Sequence, residues 1–455
     1  MVHLAVFGVS FASLAFEVLL ARIFAISQWH HLSFMVISVA LFGFAASGSF
    51  LSLVDLTRWS RAGRGSLPMG IAMLSFLCST AIILSFLSLA NLPLDYFRLV
   101  LEPVQLLYLL AIYLILILPF VFAGGVIVLA YVVHPQHPGP VYFASMTGSA
   151  LGALAPAVLL GAIGEPALLA LSALVPAILS LAGLRSFFSR QAPFTQGSVR
   201  KAAGLLGAAA LACAAGIGLL TPWAEERFPV TPSEYKPLSQ ALQFPDTRIA
   251  ASVAGIRGRI DRVQSPHLRF APGLSLKYTD PLPAAEALFT DGDQPLFLYE
   301  PRHSAQHDFA RFTLSFLGYE IVGAPERALL VMSAGGLAAA CARASGAQTV
   351  RIVQPDPHLA EMIRRHYGFE VVCEIPRAHL ARTRETFDVI HIESWGPSLP
   401  GVDALHQDHL LTVDGLAECL RHLTPQGVLI LSRRLLLPPS GTLRMWSTVR
   451  EALVA

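Results

Sequence analysis

Three short clusters in the C-terminal third carry residue types that could hold or transform a ligand. They are Ser333-Ala334-Gly335-Gly336, Gln354-Pro355-Asp356 and Glu393-Ser394-Trp395-Gly396-Pro397. Each follows a short apolar run, at 328–332, 349–353 and 387–392 respectively. An apolar strand that opens through glycines into a helix turns backbone N–H groups towards an approaching ligand. An acid after the next strand can hold a ribose. The layout therefore points to a nucleoside-type ligand. The residue types themselves weigh against catalysis, because much of the acidic chemistry such a site uses is missing.

The elements that must position these clusters read out in order. The run 328–332 is a strand, the Ala-rich stretch after Gly336 a helix, and 349–353 and 387–392 two more strands. A fifth strand over 427–432 and a helix over 442–454 complete the domain. No sequence follows for two further strands, so either the chain is a fragment of a longer protein or the sheet edge is open or covered by a partner chain or a second copy. Upstream, between Thr221 and Pro325, short apolar stretches alternate with turn residues. Runs at 249–253, 259–263, 268–270, 274–278, 287–289 and 296–299, separated by Gly255, Gly258, Pro272-Gly273 and Asp291-Gly292-Asp293, predict a small antiparallel sheet. A helix over 305–317 is expected to lead from it into the first strand of the larger domain.

The N-terminal half belongs to another class. The chain has 455 residues, 54% hydrophobic and 14% charged, with a formal charge of +2, but charges are sparse up to about Leu220 and frequent beyond Pro222. Crossing a bilayer takes roughly 20 apolar residues. Seven segments qualify: 2–26, 32–54, 67–90, 104–133, 141–163, 166–184 and 202–220. The fifth is interrupted by Gly148, Gly152 and Pro156, and small residues so spaced favour close helix packing in lipid. The first lacks the basic start and cleavage site of a signal peptide and reads as a retained helix. Arg58, Arg61 and Arg64 follow the second segment, and Arg185, Arg190, Arg200 and Lys201 lie between the sixth and seventh. Those loops are expected to be cytoplasmic, which puts the N-terminus inside and the C-terminal domain outside the cytoplasm. No dense basic patch with interleaved aromatics occurs, so nucleic acid is not an expected partner.

Other polar residues carry less. Glu17 and Arg22 lie in the first segment, five positions apart and so poorly placed to pair; a contact to another helix is the favoured reading. His30 and His31, with His134 and His137, sit at helix ends and are read as interfacial rather than metal-binding. The five cysteines, Cys78, Cys213, Cys341, Cys373 and Cys419, show no CxxC spacing and are read as free thiols.

The order of parts resembles the spermidine synthase (polyamine aminopropyltransferase) family. A small sheet carrying Gly258-Arg259-Ile260 and Asp291-Gly292-Asp293-Gln294 precedes a Rossmann-like domain. The membrane half resembles the multi-helix domain fused to some bacterial members, in Leu14-Ala15-Phe16-Glu17-Val18 with Arg22, and in the run from Tyr142 to Gly152. The resemblance implies a multi-pass α-helical membrane domain (1–220), a linker with a small β-domain (221–325), and an α/β Rossmann-like, class I methyltransferase-type domain (326–455) lacking its last strands. It also implies a bacterial inner membrane location.

Carried across by position, the resemblance makes Glu393 the candidate general base. It assigns Ser333, Gly335, Gly336, Gln354, Asp356 and Glu374 to a cosubstrate, either decarboxylated S-adenosylmethionine or S-adenosylmethionine. Asp293 and Gln294 are assigned to the substrate, a polyamine or another small molecule; no metal is implied. Several positions depart from the family pattern. The glycine turn has no acid, Gln354 stands at the ribose acid, Ile375 near the adenine acid, and Gly396 at the second acid after the fourth strand. A neutral amide lacks the charge-assisted bond of a carboxylate. Two function classes follow: a membrane-integrated aminopropyl- or methyl-transferase with an altered site, or a non-catalytic membrane scaffold that binds a ligand or partner.

Overall fold

The computed structural model describes residues 2–28, 30–54, 66–92, 94–95, 98, 101–191, 197–299, 304–332, 336–394, 409–435 and 437–454. The chain divides into two compact units, Met1–Thr231 and Pro232–Ala455. The first contains α1 (Val2–Ser27), α2 (His30–Leu53), α3 (Ser66–Asn91), α4 (Val104–Val133), α5 (Pro138–Leu159), α6 (Glu165–Gln191), α7 (Gly197–Leu220) and the one-turn α8 (Ala224–Arg227). Among the described residues seven helices are long and apolar enough to cross a membrane. Arg58, Arg61 and Arg64 lie outside the described residues, as do the side chains of Arg190, His30 and His31.

Close packing in this unit rests on small residues. Gly148 and Gly152 of α5 lie against the backbone of α1, where an added Cβ would come within 2.3 Å of Phe7 O and 2.2 Å of Phe11 O. Both pairs are spaced by four, so two successive turns of each helix meet backbone to backbone. Ser10 and Ser145 share a hydrogen bond of 3.1 Å across the same seam. Arg22 at the end of α1 pairs at 3.5 Å with Glu165, the first residue of α6, and both side chains are buried. The contact to another helix is therefore present, and its partner is a residue the sequence places in a loop. Pro119 in α4 cannot donate to Ile115 O, and Ser85 Oγ of α3 lies 3.3 Å from that carbonyl while donating to Ala81 O at 2.8 Å.

The second unit begins with α9 (Pro237–Ala241) and a four-stranded antiparallel meander. Its strands are β1 (Arg248–Ala254), β2 (Arg259–Gln264), β3 (Ala285–Thr290) and β4 (Asp293–Tyr299). Asp291 and Gly292, at φ 50° and 72°, form the two-residue turn that joins β3 to β4. Left-handed conformation at both central positions matches the right-handed twist of the flanking strands. The apolar runs at 268–270 and 274–278 do not become strands; Leu274 makes one isolated bridge to Thr313. That bridge also breaks the helix expected over 305–317. Thr313 is extended (φ −93°, ψ 152°), so the segment forms two 3₁₀ stretches, Ser304–Phe312 and Leu314–Phe316, and only then α10 (Leu317–Val322).

The larger sheet alternates strictly with helices. It comprises β5 (Arg327–Met332), α11 (Leu337–Ser345), β6 (Thr349–Val353), α12 (Pro357–Tyr367), β7 (Glu370–Val372), α13 (Pro376–Arg382), β8 (Phe387–Ser394), α14 (Val413–Arg421), β9 (Leu423–Arg433) and α15 (Ser440–Ala452). All five strands are parallel, in the order β7-β6-β5-β8-β9. One core joins Leu330, Ile352 and Val389 to α10, α11, α12 and the meander; the other joins Leu329, Ile390 and Ile392 to α13, α14 and α15. Side-chain alternation along each strand feeds both faces, which gives these strands their continuous apolar character.

Replacing Gly152 by leucine should separate α1 from α5. Overpacking of this kind costs about 1–3 kcal/mol. The full chain in detergent should unfold at lower temperature, whereas Gly218→Leu, with nothing within 4 Å of an added Cβ, should not change its midpoint. Equal midpoints for the two variants would remove the seam from the account.

Candidate functional site

The C-terminal ends of the parallel strands gather most of the candidate residues. Ser333, Ala334 and Gly335 lie outside the described residues, as do Trp395, Gly396 and Pro397. Gly336 is the N-cap of α11, and an added Cβ would meet Phe297 O at 2.0 Å and the Tyr367 hydroxyl at 3.0 Å. The backbone that approaches this glycine is thus the protein's own β4. Steric need for glycine is real here, but a neighbouring strand creates it.

Glu393 is fully buried at the end of β8, and its Oε2 accepts a hydrogen bond from Ala338 N at 3.0 Å. Ala338 is in the first turn of α11, so the carboxylate caps free N–H groups and meets the positive end of the helix dipole. Charge-assisted bonds of this kind contribute about 1.5–3 kcal/mol. Tyr299, Tyr319 and Tyr367 are also completely enclosed. Burial, and next the Glu393 charge, push the Tyr299 phenol well above its ordinary value. Burial likewise raises Tyr319 and Tyr367, so all three phenols keep their protons.

The residues expected at the ribose and adenine positions, Gln354, Asp356 and Glu374, are engaged within their own loops. Gln354 is buried and its Oε1 accepts from Asp356 N at 3.1 Å. Asp356 N-caps α12, with Oδ1 accepting from His358 N (2.8 Å) and Leu359 N (3.0 Å). Glu374 accepts from His379 Nδ1 at 3.1 Å and from Arg382, and these two partners hold its carboxyl below the usual range. Ile375, 55% exposed, starts α13.

Asp293 is buried at the start of β4, beside Lys236. Burial lowers the Lys236 ammonium to about 8, against the opposing pull of Asp293 and then Asp291. The Lys236 Nζ donates to Asp291 O at 2.6 Å. Asp293 therefore offsets a buried cation of the chain itself. The side chain of Gln294 lies outside the described part of β4.

One polar group escaped the sequence reading. His391 is fully buried in β8, with Nδ1 3.2 Å from the Tyr319 hydroxyl and Nε2 2.9 Å from Ser432 Oγ. Ser432 Oγ is in turn 2.8 Å from Ser315 Oγ. The available signal was a histidine in an otherwise apolar strand. Burial pushes the imidazole down to about 3, so it stays neutral. Among the described residues no group of three or more His, Cys, Asp or Glu could hold a metal ion. The cysteines are free; Cys78, Cys341 and Cys419 are buried, while Cys373 is exposed.

The strand order, with its reversal between β5 and β8, defines an open, doubly wound α/β domain of the Rossmann type. No protein-family model and no curated protein matches the sequence. Among solved structures, a spermidine synthase in complex with the transition-state analogue AdoDATO is similar over 45% of this chain and 62% of its own, with 16% identity and a TM-score of 0.29. A spermidine synthase from Thermotoga maritima is similar over 45% of this chain and 64% of its own, with 17% identity and a TM-score of 0.31. The chain thus spans less than two thirds of either structure.

His391 gives the domain an acid sensitivity with a defined sign. The unfolded chain takes up a proton near the ordinary histidine value of 6.5, while the folded imidazole resists it down to about 3. Stability is full above pH 6.5 and is lost progressively from there towards 3, on the order of 5 kcal/mol in all. Thermal unfolding of the full chain in detergent should therefore fall more steeply between pH 7 and 5 than that of His391→Gln. Parallel slopes would contradict this.

Proposed function

We propose that this protein is a multi-pass membrane protein whose α/β domain is a spermidine synthase-like scaffold that binds a ligand or partner without aminopropyl transfer. One observation carries the reading: the acids and amide at the strand ends are each engaged by the chain itself. Glu393 caps α11, Gln354 turns back to Asp356, Asp356 caps α12, and Glu374 is held by His379 and Arg382. A general base works from hydrogen-bond reach of its proton, and displacement by about 1 Å can cost a hundredfold in rate. The full burial of Glu393 argues against that role. Loop charges support the same reading, because a domain outside the cytoplasm would not meet a cosubstrate made and kept inside the cell.

The second reading is a transferase with an altered site, acting through decarboxylated S-adenosylmethionine or S-adenosylmethionine. What favours it is that a carboxylate does stand at the end of β8, beside the start of α11. Full-length protein in detergent, given decarboxylated S-adenosylmethionine and putrescine, should form no methylthioadenosine above background. Formation that disappears in Glu393→Gln would establish the transferase instead. Titration calorimetry with S-adenosylmethionine, its decarboxylated form and methylthioadenosine separates binding from turnover.

Location is tested independently, and the proposed location is a bacterial inner membrane. A reporter fused after Ala455 should be active only outside the cytoplasm. A cytoplasmic signal would reverse the proposed orientation.

A further inference from the structure

The end of β9 opens into a cavity of about 410 Å³ that none of the candidate residues above lines. Ser315 and Ser432 face it, together with Arg433 and Arg434; Phe270 and Leu314 are among its apolar lining. A volume of this size suits a small organic molecule. We infer that this cavity binds a small organic anion, a carboxylate or phosphate monoester carried on an apolar body.

The hydrogen-bond chain behind the cavity supplies the direction. Tyr319 keeps its proton, and its hydroxyl lies 3.2 Å from His391 Nδ1 and 3.5 Å from Ala338 O. Donation to Nδ1 places the imidazole proton on Nε2, because a neutral ring carries only one. Nε2–H then donates to Ser432 Oγ at 2.9 Å, and Ser432 donates to Ser315 at 2.8 Å. Ser315 is left with its hydroxyl proton to give to the cavity. With that tautomer every donor in the row points from the buried phenol towards the ligand space, an arrangement that suits an acceptor oxygen.

Charge agrees with that polarity. Among the described residues no carboxylate lines the cavity, and two guanidiniums do. Among the described residues neither Arg433 nor Arg434 has a carboxylate partner; Arg433 reaches only Gly441 O, at 3.5 Å. Guanidinium forks match carboxylate and phosphate oxygens in geometry. A diamine of similar length would bring ammonium groups against these cations and meet no acceptor charge. The apolar lining then takes the body of the ligand.

Phenyl phosphate is the probe, titrated by calorimetry into the full chain in detergent, with cadaverine as the cationic counterpart. Phenyl phosphate should bind, and Arg433→Gln with Arg434→Gln should weaken it at least tenfold without shifting the unfolding midpoint, since both side chains are exposed. Ser315→Ala should weaken it severalfold, and cadaverine should neither bind there nor compete. Absence of phenyl phosphate binding, or equal affinity in the double arginine variant, would overturn the inference. So would competition by cadaverine. These outcomes are independent of methylthioadenosine formation, so this inference and the proposed function can fail separately.

Discussion

A carboxylate without solvent contact must be compensated, and in the α/β unit that requirement falls on Glu393. The residue ends β8, and its Oε2 takes the Ala338 N–H at the start of α11. Leaving such a charge unpaired would cost several kcal/mol, so strand end and helix start are held together. That link fixes where the glycine turn must close, because Gly336 immediately precedes α11. It also sets the neighbourhood of Tyr299, whose phenol is kept protonated by burial and by the Glu393 charge.

The small sheet then locks onto the same point. Phe297 O occupies the space over Gly336, Tyr299 N donates to the Tyr367 hydroxyl at 2.9 Å, and the Tyr299 hydroxyl donates to Phe270 O at 2.7 Å. Phe270 stacks on Phe297 with ring centroids 4.2 Å apart. Gly336, at the start of α11, is thus one side of an internal packing joint.

Much of this frame was legible in the sequence because it is local. The apolar runs at 328–332, 349–353 and 387–392 each lie within an observed strand, and Asp291-Gly292 makes the hairpin that this dipeptide favours. Runs at 268–270 and 274–278 misled, since their apolar residues are satisfied by packing and by one bridge to Thr313 rather than by a ladder. The 305–317 helix failed for the same long-range reason. At the site, the sequence names Glu393, Gln354 and Asp356 but not what holds them. The row from Tyr319 through His391 and Ser432 to Ser315 joins residues up to 117 positions apart, and no spacing rule connects them.

The two ends of this polar face differ in a way that bears on what the domain can recognise. Around Glu393 the carboxylate is buried, its Oε2 accepts from Ala338 N, and the Tyr299, Tyr319 and Tyr367 phenols keep their protons. Around Ser432 a row of hydroxyl and imidazole groups reaches the cavity, and the guanidiniums lack carboxylate partners among the described residues. Glu393 and Ser432 are register partners on adjacent strands, so the two environments lie side by side at one sheet edge. Gln354 and Ile375 carry no charge at the ends of β6 and β7, while Arg433 and Arg434 carry positive charge at the end of β9. The uncharged side chains leave the positive potential of the two guanidiniums unopposed at those positions. That sign of potential suits an anion rather than a polycation as the occupant inferred for the cavity at the end of β9.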